Sequence, residues 1–513
     1  MLVILNDAAG AVQAGEANIR GFLLFLIALI LSSYTKKVSL DRTQSIVQTL
    51  IRGIRVRIAD KIRKSSLVSF ETRGKEVYYV ALTQQTSFIS NSSITLINAS
   101  QAIVIIVACI FYIGWISIPS LILMLVFIGL GVLLYLLKSA EFQGEIIEAT
   151  QKEGEFFALL NHILAGFKEL ILSSKKGDEV FRDFNNVSDE ATALKVKTGG
   201  KLTEIIMFSQ AYMYLLIAGV IILLPYLHLT PYSDIPKLIV AVLFFWTSLE
   251  SVVAAIPDFA KANMAIAHLY HLEQELEVIE DITPQKTGTA LTPFEFNDKL
   301  NLEQLSYRHV DLDNSFLFGI GPLDFELRKG EILFICGGNG SGKTTFLKTL
   351  TSLYPPHSGG TLLNGNIPIG KEEYSRYRQL FSVVYADFHL FDRLYGLSNV
   401  DEKRVESLLK RLALTGKTKF TGVGFSELNL SQGQKKRLAI VVALLEERPI
   451  YLLDEPAAEL DPEFRRYFYE TFLPELRDEG KTIVVITHDD RYFSSCDRLL
   501  KMENGLLIEE KQS

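Results

Sequence analysis

Residues 331–345 read EILFICGGNGSGKTT: an apolar run, a turn rich in glycine, then a lysine and two threonines. The run predicts a buried strand, and FLKTLTSLY, which follows and is stopped by Pro355, predicts a helix. Between them Gly337, Gly338, Asn339, Gly340, Ser341, Gly342, Lys343, Thr344 and Thr345 fit the pattern G-x-x-x-x-G-K-[ST] in the strand-to-helix setting it requires. Glycines let backbone N–H groups curl around phosphate oxygens, and the helix start adds its partial positive charge. Lys343 can then reach the outer phosphates, and the Thr344 hydroxyl can ligate Mg²⁺. Two further apolar runs, IYLLDE (450–455) and TIVVITH (482–488), alternate with helical segments, so this half predicts an α/β domain with a mostly parallel sheet.

The run at 450–455 ends in Asp454 and Glu455. An aspartate there suits the Mg²⁺ shell, and the adjacent glutamate suits the orientation or deprotonation of an attacking water. About 20 residues earlier stands Leu430-Ser431-Gln432-Gly433-Gln434-Lys435-Lys436-Arg437-Leu438, which read locally is a helix capped by Ser431 with a basic face.

The rest of the chain differs in character. At 513 residues it exceeds one domain, and 48% hydrophobic residues with a mean hydropathy of +0.22 is too apolar for a disordered chain and high for a soluble one. Five apolar stretches, at roughly 18–35, 101–118, 120–137, 206–227 and 237–256, approach the ~20 residues a membrane-spanning helix needs. The second and third are separated by little more than Pro119, which predicts a tight hairpin. Lysine and arginine crowd the segments after the first and third stretches, which assigns both to the cytoplasm and leaves the loop HLTPYSDIP (228–236) outside. The polar stretches 36–100 and 138–205 favour long cytoplasmic helices, and DITPQKTGTALTPFEFNDKL (281–300) marks the domain boundary. The division expected is therefore a membrane domain over 1–285, a linker over 286–300 and the α/β domain over 301–513. A net charge of -7 and a pI near 5.8 give no reason to expect a nucleic-acid partner. Cys109, Cys336 and Cys496 lie far apart, which fits reduced thiols and neither a zinc site nor a disulfide framework.

With the phosphate loop upstream and Asp454-Glu455 downstream, Leu430-Ser431-Gln432-Gly433-Gln434 resembles the signature of the ATP-binding-cassette (ABC) superfamily, usually LSGGQ. The resemblance implies ATP and Mg²⁺ as ligands, and a γ-phosphate gripped by Ser431, Gly433 and Gln434 of a second copy of the chain. It implies further that His488, in Thr487-His488-Asp489-Asp490, is the switch histidine, that Asp461 is the aspartate of the loop after Glu455, and that His309 stacks on adenine with Tyr307 two residues before it. The catalytic set is then Lys343, Glu455 and His488, and the metal set Thr344, Asp454 and Asp387.

There are departures. Where the family carries its loop glutamine, this chain reads Val384-Tyr385-Ala386-Asp387-Phe388-His389-Leu390-Phe391, so Asp387 is the candidate substitute. Gln432 replaces a glycine, which is costly only if its φ is positive. Together Gly337–Gly340, Asp387, Ser431–Lys436 and Thr487–Phe493 resemble the exporters of cyclic peptides, microcins and siderophore peptides within the superfamily. That branch implies a type I exporter fold: a membrane α-helical domain followed by a cytoplasmic α/β P-loop NTPase domain, six spans per chain and a homodimer. It implies a multi-pass protein of the cytoplasmic (inner) membrane that exports a peptide-like substrate and contacts membrane lipid. Only five spans are visible, so a first helix is expected to be missing. The resemblance places coupling segments near Phe70–Leu82 and Glu155–Leu170, and Glu250, Gln210, Tyr212 and Tyr214 are candidates for facing the cargo. Two other functions suit the same motifs: a lipid or drug flippase, and a membrane sensor that binds ATP and transports nothing.

Overall fold

The computed structural model describes the backbone of residues 19–226, 230–280, 293–310, 315–397 and 399–510; within these, side chains are described except at 76, 132–147, 150–151, 202, 205–206, 209, 224, 233 and 277–280. The polar lead over residues 1–18, His228 and Leu229 of the outer loop, and 286–292 of the expected linker lie outside them. By backbone packing the chain forms two compact units: residues up to Arg52 with Gln85–Ile266, and Gly53–Gln84 with Ala267 onward.

All five apolar stretches lie almost wholly in helices: α1 (Ile19–Lys64), α3 (Thr86–Ile116), α4 (Ile118–Ala165), α6 (Ser174–Ala218, continued by a π-turn at Gly219–Leu223) and α7 (Ile235–Glu280). Among the described residues three helical runs are long and apolar enough to cross a membrane, Ile19–Lys64, Val77–Ile116 and Ile235–Leu276, and Ile118–Gly131 and Gln210–Leu223 are shorter apolar segments. Apart from Ile19–Lys64 they share a core that joins Cys109, Ile113, Met124, Tyr212, Leu216, Leu238, Phe245 and Trp246. Tyr212 donates its hydroxyl hydrogen to the Phe127 carbonyl at 2.8 Å and is buried, whereas Gln210, Tyr214 and Glu250 are exposed. The hairpin falls where Pro119 predicts it. Ser117, extended at φ -156°, accepts from the Ser120 amide with its side chain, and Pro119 occupies the first turn of α4, where no amide donor is required. Ser117, Ser120 and Thr230 hydroxyls lie within 2.9–3.3 Å of one another, so these buried polar groups satisfy each other.

The polar stretches are mostly long helix, as expected, with short breaks. Serine caps and glycines interrupt them and cut out two short elements, α2 (Leu67–Arg73) and α5 (Phe167–Leu172). Ser66 caps α2, whose end is set by Gly74 at φ 77°, a left-handed value that suits glycine; Gly166 and Ser173 bracket α5.

In the second unit a six-stranded sheet has the order β10-β9-β3-β8-β7-β6: β3 (Ile332–Cys336), β6 (Phe381–Val384), β7 (Ile450–Asp454), β8 (Thr482–Ile486), β9 (Arg498–Glu503) and β10 (Leu506–Glu509). All neighbours are parallel except the β9/β10 hairpin. Strands β3, β7 and β8 are buried throughout, and alternate residues of β3 enter different cores. Leu333 and Ile335 meet Phe346, Leu347 and Leu350 of α8 (Lys343–Leu350), while Ile332 and Phe334 join the core of α9 (Glu402–Arg411) and α10 (Gln432–Leu445). A second, antiparallel sheet has the order β2-β1-β4-β5, with β1 (Lys299–Val310), β2 (Phe316–Arg328), β4 (Ser358–Leu363) and β5 (Ile367–Pro368). Because β3, β8 and β7 are adjacent and parallel, the loops leaving their carboxyl ends meet at one edge, the usual ligand position in such sheets.

Candidate active site

That edge gathers the predicted groups. Lys343 is buried at the start of α8, and its Nζ donates to the carbonyls of Gly337 and Gly338, both at 2.9 Å. Burial pulls the amine below its ordinary pKa, against the opposing pull of Glu455 and Asp454. The glycines are required by geometry. Gly337 has φ 146° and a Cβ there would sit 2.3 Å from the Met502 carbonyl; Gly342, at φ 107°, would meet Ile320 at 2.8 Å. Gly338, Asn339 and Gly340 are exposed at the turn, and Thr345 accepts the Thr349 hydroxyl within the helix.

Thr344 donates its hydroxyl hydrogen to Asp454 Oδ2 at 2.9 Å, linking the first turn of α8 to the end of β7. Asp454 is 2% exposed, and burial raises its carboxyl pKa despite the Thr344 hydrogen bond. Next to it, Glu455 has φ 49°, uncommon for a residue with a side chain and held by its own amide bonding to the Ile486 carbonyl at 3.0 Å. Glu455 Oε1 lies 3.3 Å from His488 Nε2, so the ends of β7 and β8 bring these two side chains together at a half-open position.

The phosphate loop has the character of an anion cradle. The amides at the start of α8 receive no side-chain cap, and Ser341 Oγ is buried without a hydrogen-bond partner. For a cation, Thr344 and Asp454 supply two oxygens. Among the described residues no group of three or more His, Cys, Asp or Glu side chains forms a metal cluster. That fits Mg²⁺, which uses one or two protein oxygens and takes the rest from phosphate and water.

His309 and Tyr307 lie on β1, in the antiparallel sheet. The Tyr307 hydroxyl is 3.2 Å from His309 Nδ1, and Tyr307 stacks on Tyr354 with centroids 4.7 Å apart. Burial chiefly pushes the Tyr307 phenol up to about 12.

The signature residues cap their own helix. Ser431 Oγ accepts from the Gln434 amide at 3.4 Å while Gln434 Oε1 accepts from the Ser431 amide at 3.1 Å. Gln432, the first residue of α10, is not among the residues of positive φ, so the substitution for glycine is unstrained. Gly433 is the constrained one, since a Cβ there would lie 2.5 Å from the Glu459 carbonyl. Asp461 accepts from the Phe464 amide at 2.8 Å and so caps the helix Pro462–Tyr467. At the glutamine-loop position the Ala386 backbone slightly offsets the effect of burial on the Asp454 carboxyl. Asp387 is exposed and acts as a neighbouring charge on buried Lys436 and Tyr354 and on half-buried Tyr385.

The sequence reading missed several of the site's supports. Arg465 donates to the Ala458 and Leu460 carbonyls and pairs with Asp489 at 3.3 Å; the Tyr469 and Thr487 hydroxyls lie 2.6 Å apart. These tie the loop after Glu455 to the loop bearing His488, and no local spacing announces them.

The family model for ABC transporters matches residues 320–458. ATP-binding protein SyrD of Pseudomonas syringae pv. syringae is 31% identical over 484 residues, 90% of this chain and 83% of that protein. The glutathione/L-cysteine transport system ATP-binding/permease protein CydC of Escherichia coli K12 is 30% identical over 50% of this chain and 46% of its own length. The ATP-dependent lipid A-core flippase of Chromohalobacter salexigens is 28% identical over 52% of this chain and 47% of its own. The solved structure of a bacterial Atm1-family ABC exporter with ATP bound has the same fold, with a TM-score of 0.77 at 18% identity, covering 99% of this chain and 91% of that one. With its phosphate loop, its Asp454-Glu455 strand end and its apolar helices in one polypeptide, the chain belongs to the ABC transporter family as a multi-pass, ATP-hydrolysing exporter.

Proposed function

We propose that this exporter moves a peptide or peptide-derived small molecule, of the cyclic-peptide, microcin or siderophore kind, outward across the cytoplasmic membrane as a homodimer. The observation that carries the engine is the Thr344–Asp454 contact, which holds two oxygens side by side one residue before Glu455, itself paired with His488. In this reading Lys343 and the loop amides bind the outer phosphates of ATP, and His309 stacks on the base. Thr344 and Asp454 would hold Mg²⁺, with Asp387 a further candidate ligand, and the ion when bound would supply neutralising charge at the phosphates. Glu455 orients the attacking water and accepts its proton, and His488 contacts the terminal phosphate. Ser431 caps, and Gly433 and Gln434 begin, a fourteen-residue helix that is buried over most of its length and open only at its start, where it is suited to gripping the phosphate held by the second copy. Asp461 lies beside that junction. Each nucleotide site is thus complete only when two cassettes close, and closure favours one opening of the membrane helices over the other.

The peptide cargo is supported by the match of Asp387, the signature and the 487–493 segment to that exporter branch. The likeness to a lipid A-core flippase over half the chain makes lipid the competing cargo. Purified protein in sealed proteoliposomes tests both. Peptide-class compounds are expected to stimulate ATP hydrolysis and to redistribute across the bilayer. Stimulation and movement of lipids or drugs alone would replace the cargo assignment, and hydrolysis with nothing moved would favour the sensor.

A further inference from the structure

Glu71 lies on α2, more than two hundred residues before the phosphate loop, yet both of its oxygens are bound to groups of the α/β domain within the same compact unit. Oε1 accepts from Lys348 Nζ at 2.8 Å, and Oε2 accepts from the Tyr354 hydroxyl. Lys348 Nζ also donates to that hydroxyl at 3.3 Å and lies 5.1 Å from the ring centroid. Lys348 belongs to α8, and its carbonyl accepts from the Tyr354 amide at 2.9 Å, so the tyrosine is fixed to the helix that begins at Lys343. The Tyr354 ring stacks on Tyr307, lies 6.2 Å from His309, and so completes a three-ring cluster with the Tyr307–His309 hydrogen bond.

The surroundings favour a firm link. The Lys348 side chain is 14% exposed and that of Glu71 32%, more sheltered than an ordinary surface pair. Leu67 and Val68 of α2 pack on the apolar core that contains Tyr307 and Tyr354, while Arg73 pairs with Glu275. The helix is therefore held on either side of Glu71, and the carboxylate is not at liberty to swing away.

We propose that Glu71 is a positioning residue for the purine base: by fixing Tyr354 it presets, through the ring cluster, the surface that His309 presents to adenine. This rests on the reading of His309 as the adenine contact. Full-length protein in lipid nanodiscs tests it through the binding of ATP and of inorganic tripolyphosphate, which has phosphates and no base. Glu71→Gln and Tyr354→Phe are each expected to weaken ATP about 3–10-fold, the size of one ordinary hydrogen bond because the lost contact acts on the base only through the rings, and to leave tripolyphosphate within about 2-fold. The double variant is expected to be no weaker than the weaker single one, because both remove the same bond. Parallel weakening of both ligands, or unchanged ATP binding, overturns the proposal. His309→Ala separates the two levels. Unchanged ATP affinity in that variant ends the adenine reading and this proposal with it, whereas weakened ATP binding there with parental behaviour in Glu71→Gln removes Glu71 alone.

Discussion

Replacing Gly433 by alanine isolates steric contact from every other effect of a signature substitution. The residue lies in the first turn of α10 and is not among the glycines of positive φ, so alanine costs nothing in backbone conformation and is the better helix former by roughly 0.5–1 kcal/mol. The added Cβ would stand 2.5 Å from the Glu459 carbonyl oxygen, about 0.9 Å inside ordinary contact, and a backbone atom has no rotamer by which to retreat. Either the start of α10 or the loop after Glu455 must move. The first displaces the Ser431–Gln434 capping box, and the second displaces Glu455, whose carbonyl accepts from the Ala458 amide in that same loop. A shift of about 1 Å at a reacting centre costs up to ~100-fold, so ATP turnover in nanodiscs is expected to fall about 10–100-fold. Equilibrium ATP binding should fall less than turnover, because the phosphate loop still holds the nucleotide within its own chain. Gln432→Gly, one residue away with no such contact, should hydrolyse near the parental rate. Parental turnover in Gly433→Ala, with the protein folded, would refute the idea that close packing between α10 and the Glu459 loop sets the site.

Glu455→Gln keeps the shape of the side chain and removes the base; ATP turnover should drop at least about 100-fold with nucleotide still bound, as measured by steady-state hydrolysis and filter binding. Thr344→Val deletes a metal ligand and leaves the buried Asp454 carboxylate without its hydroxyl partner, so Mg²⁺-dependent hydrolysis should fall about 10–100-fold; a parental Mg²⁺ titration would count against that ligand assignment. Burial, aided by Glu510, pushes the Cys336 thiol up to about 11, so its thiolate fraction is small at pH 8 and grows only as pH rises toward that value. Maleimide should label it slowly in the folded protein at pH 8 and at an ordinary rate in denaturant, as read by mass spectrometry.

What the sequence disclosed was whatever depends on near neighbours along the chain. The phosphate loop, the Asp454-Glu455 strand end and the Ser431 cap are each a spacing rule joined to a local conformation, and they stand where expected. The parallel sheet followed from buried runs such as Ile332–Cys336. The antiparallel sheet was not foreseen, because β1 pairs with strands on both sides through irregular registers that blur its alternation. The breaks around α2 and α5 had local signals, Ser66 with Gly74 and Gly166 with Ser173, but a composition rich in helix formers outweighed them. Arg465 and Glu71 could not be read in advance at all. Their partners are supplied by the fold, and a charged residue on a polar helix is indistinguishable beforehand from one that merely faces water.

The excursion of Gly53–Gln84 into the second unit bears on how this protein can be dissected. A fragment beginning near residue 301 would carry every nucleotide motif and still lack Leu67 and Val68, so it would bare an oily patch of the core they cover, an invitation to aggregation. Activity assays on the excised C-terminal piece would therefore report on a wounded engine.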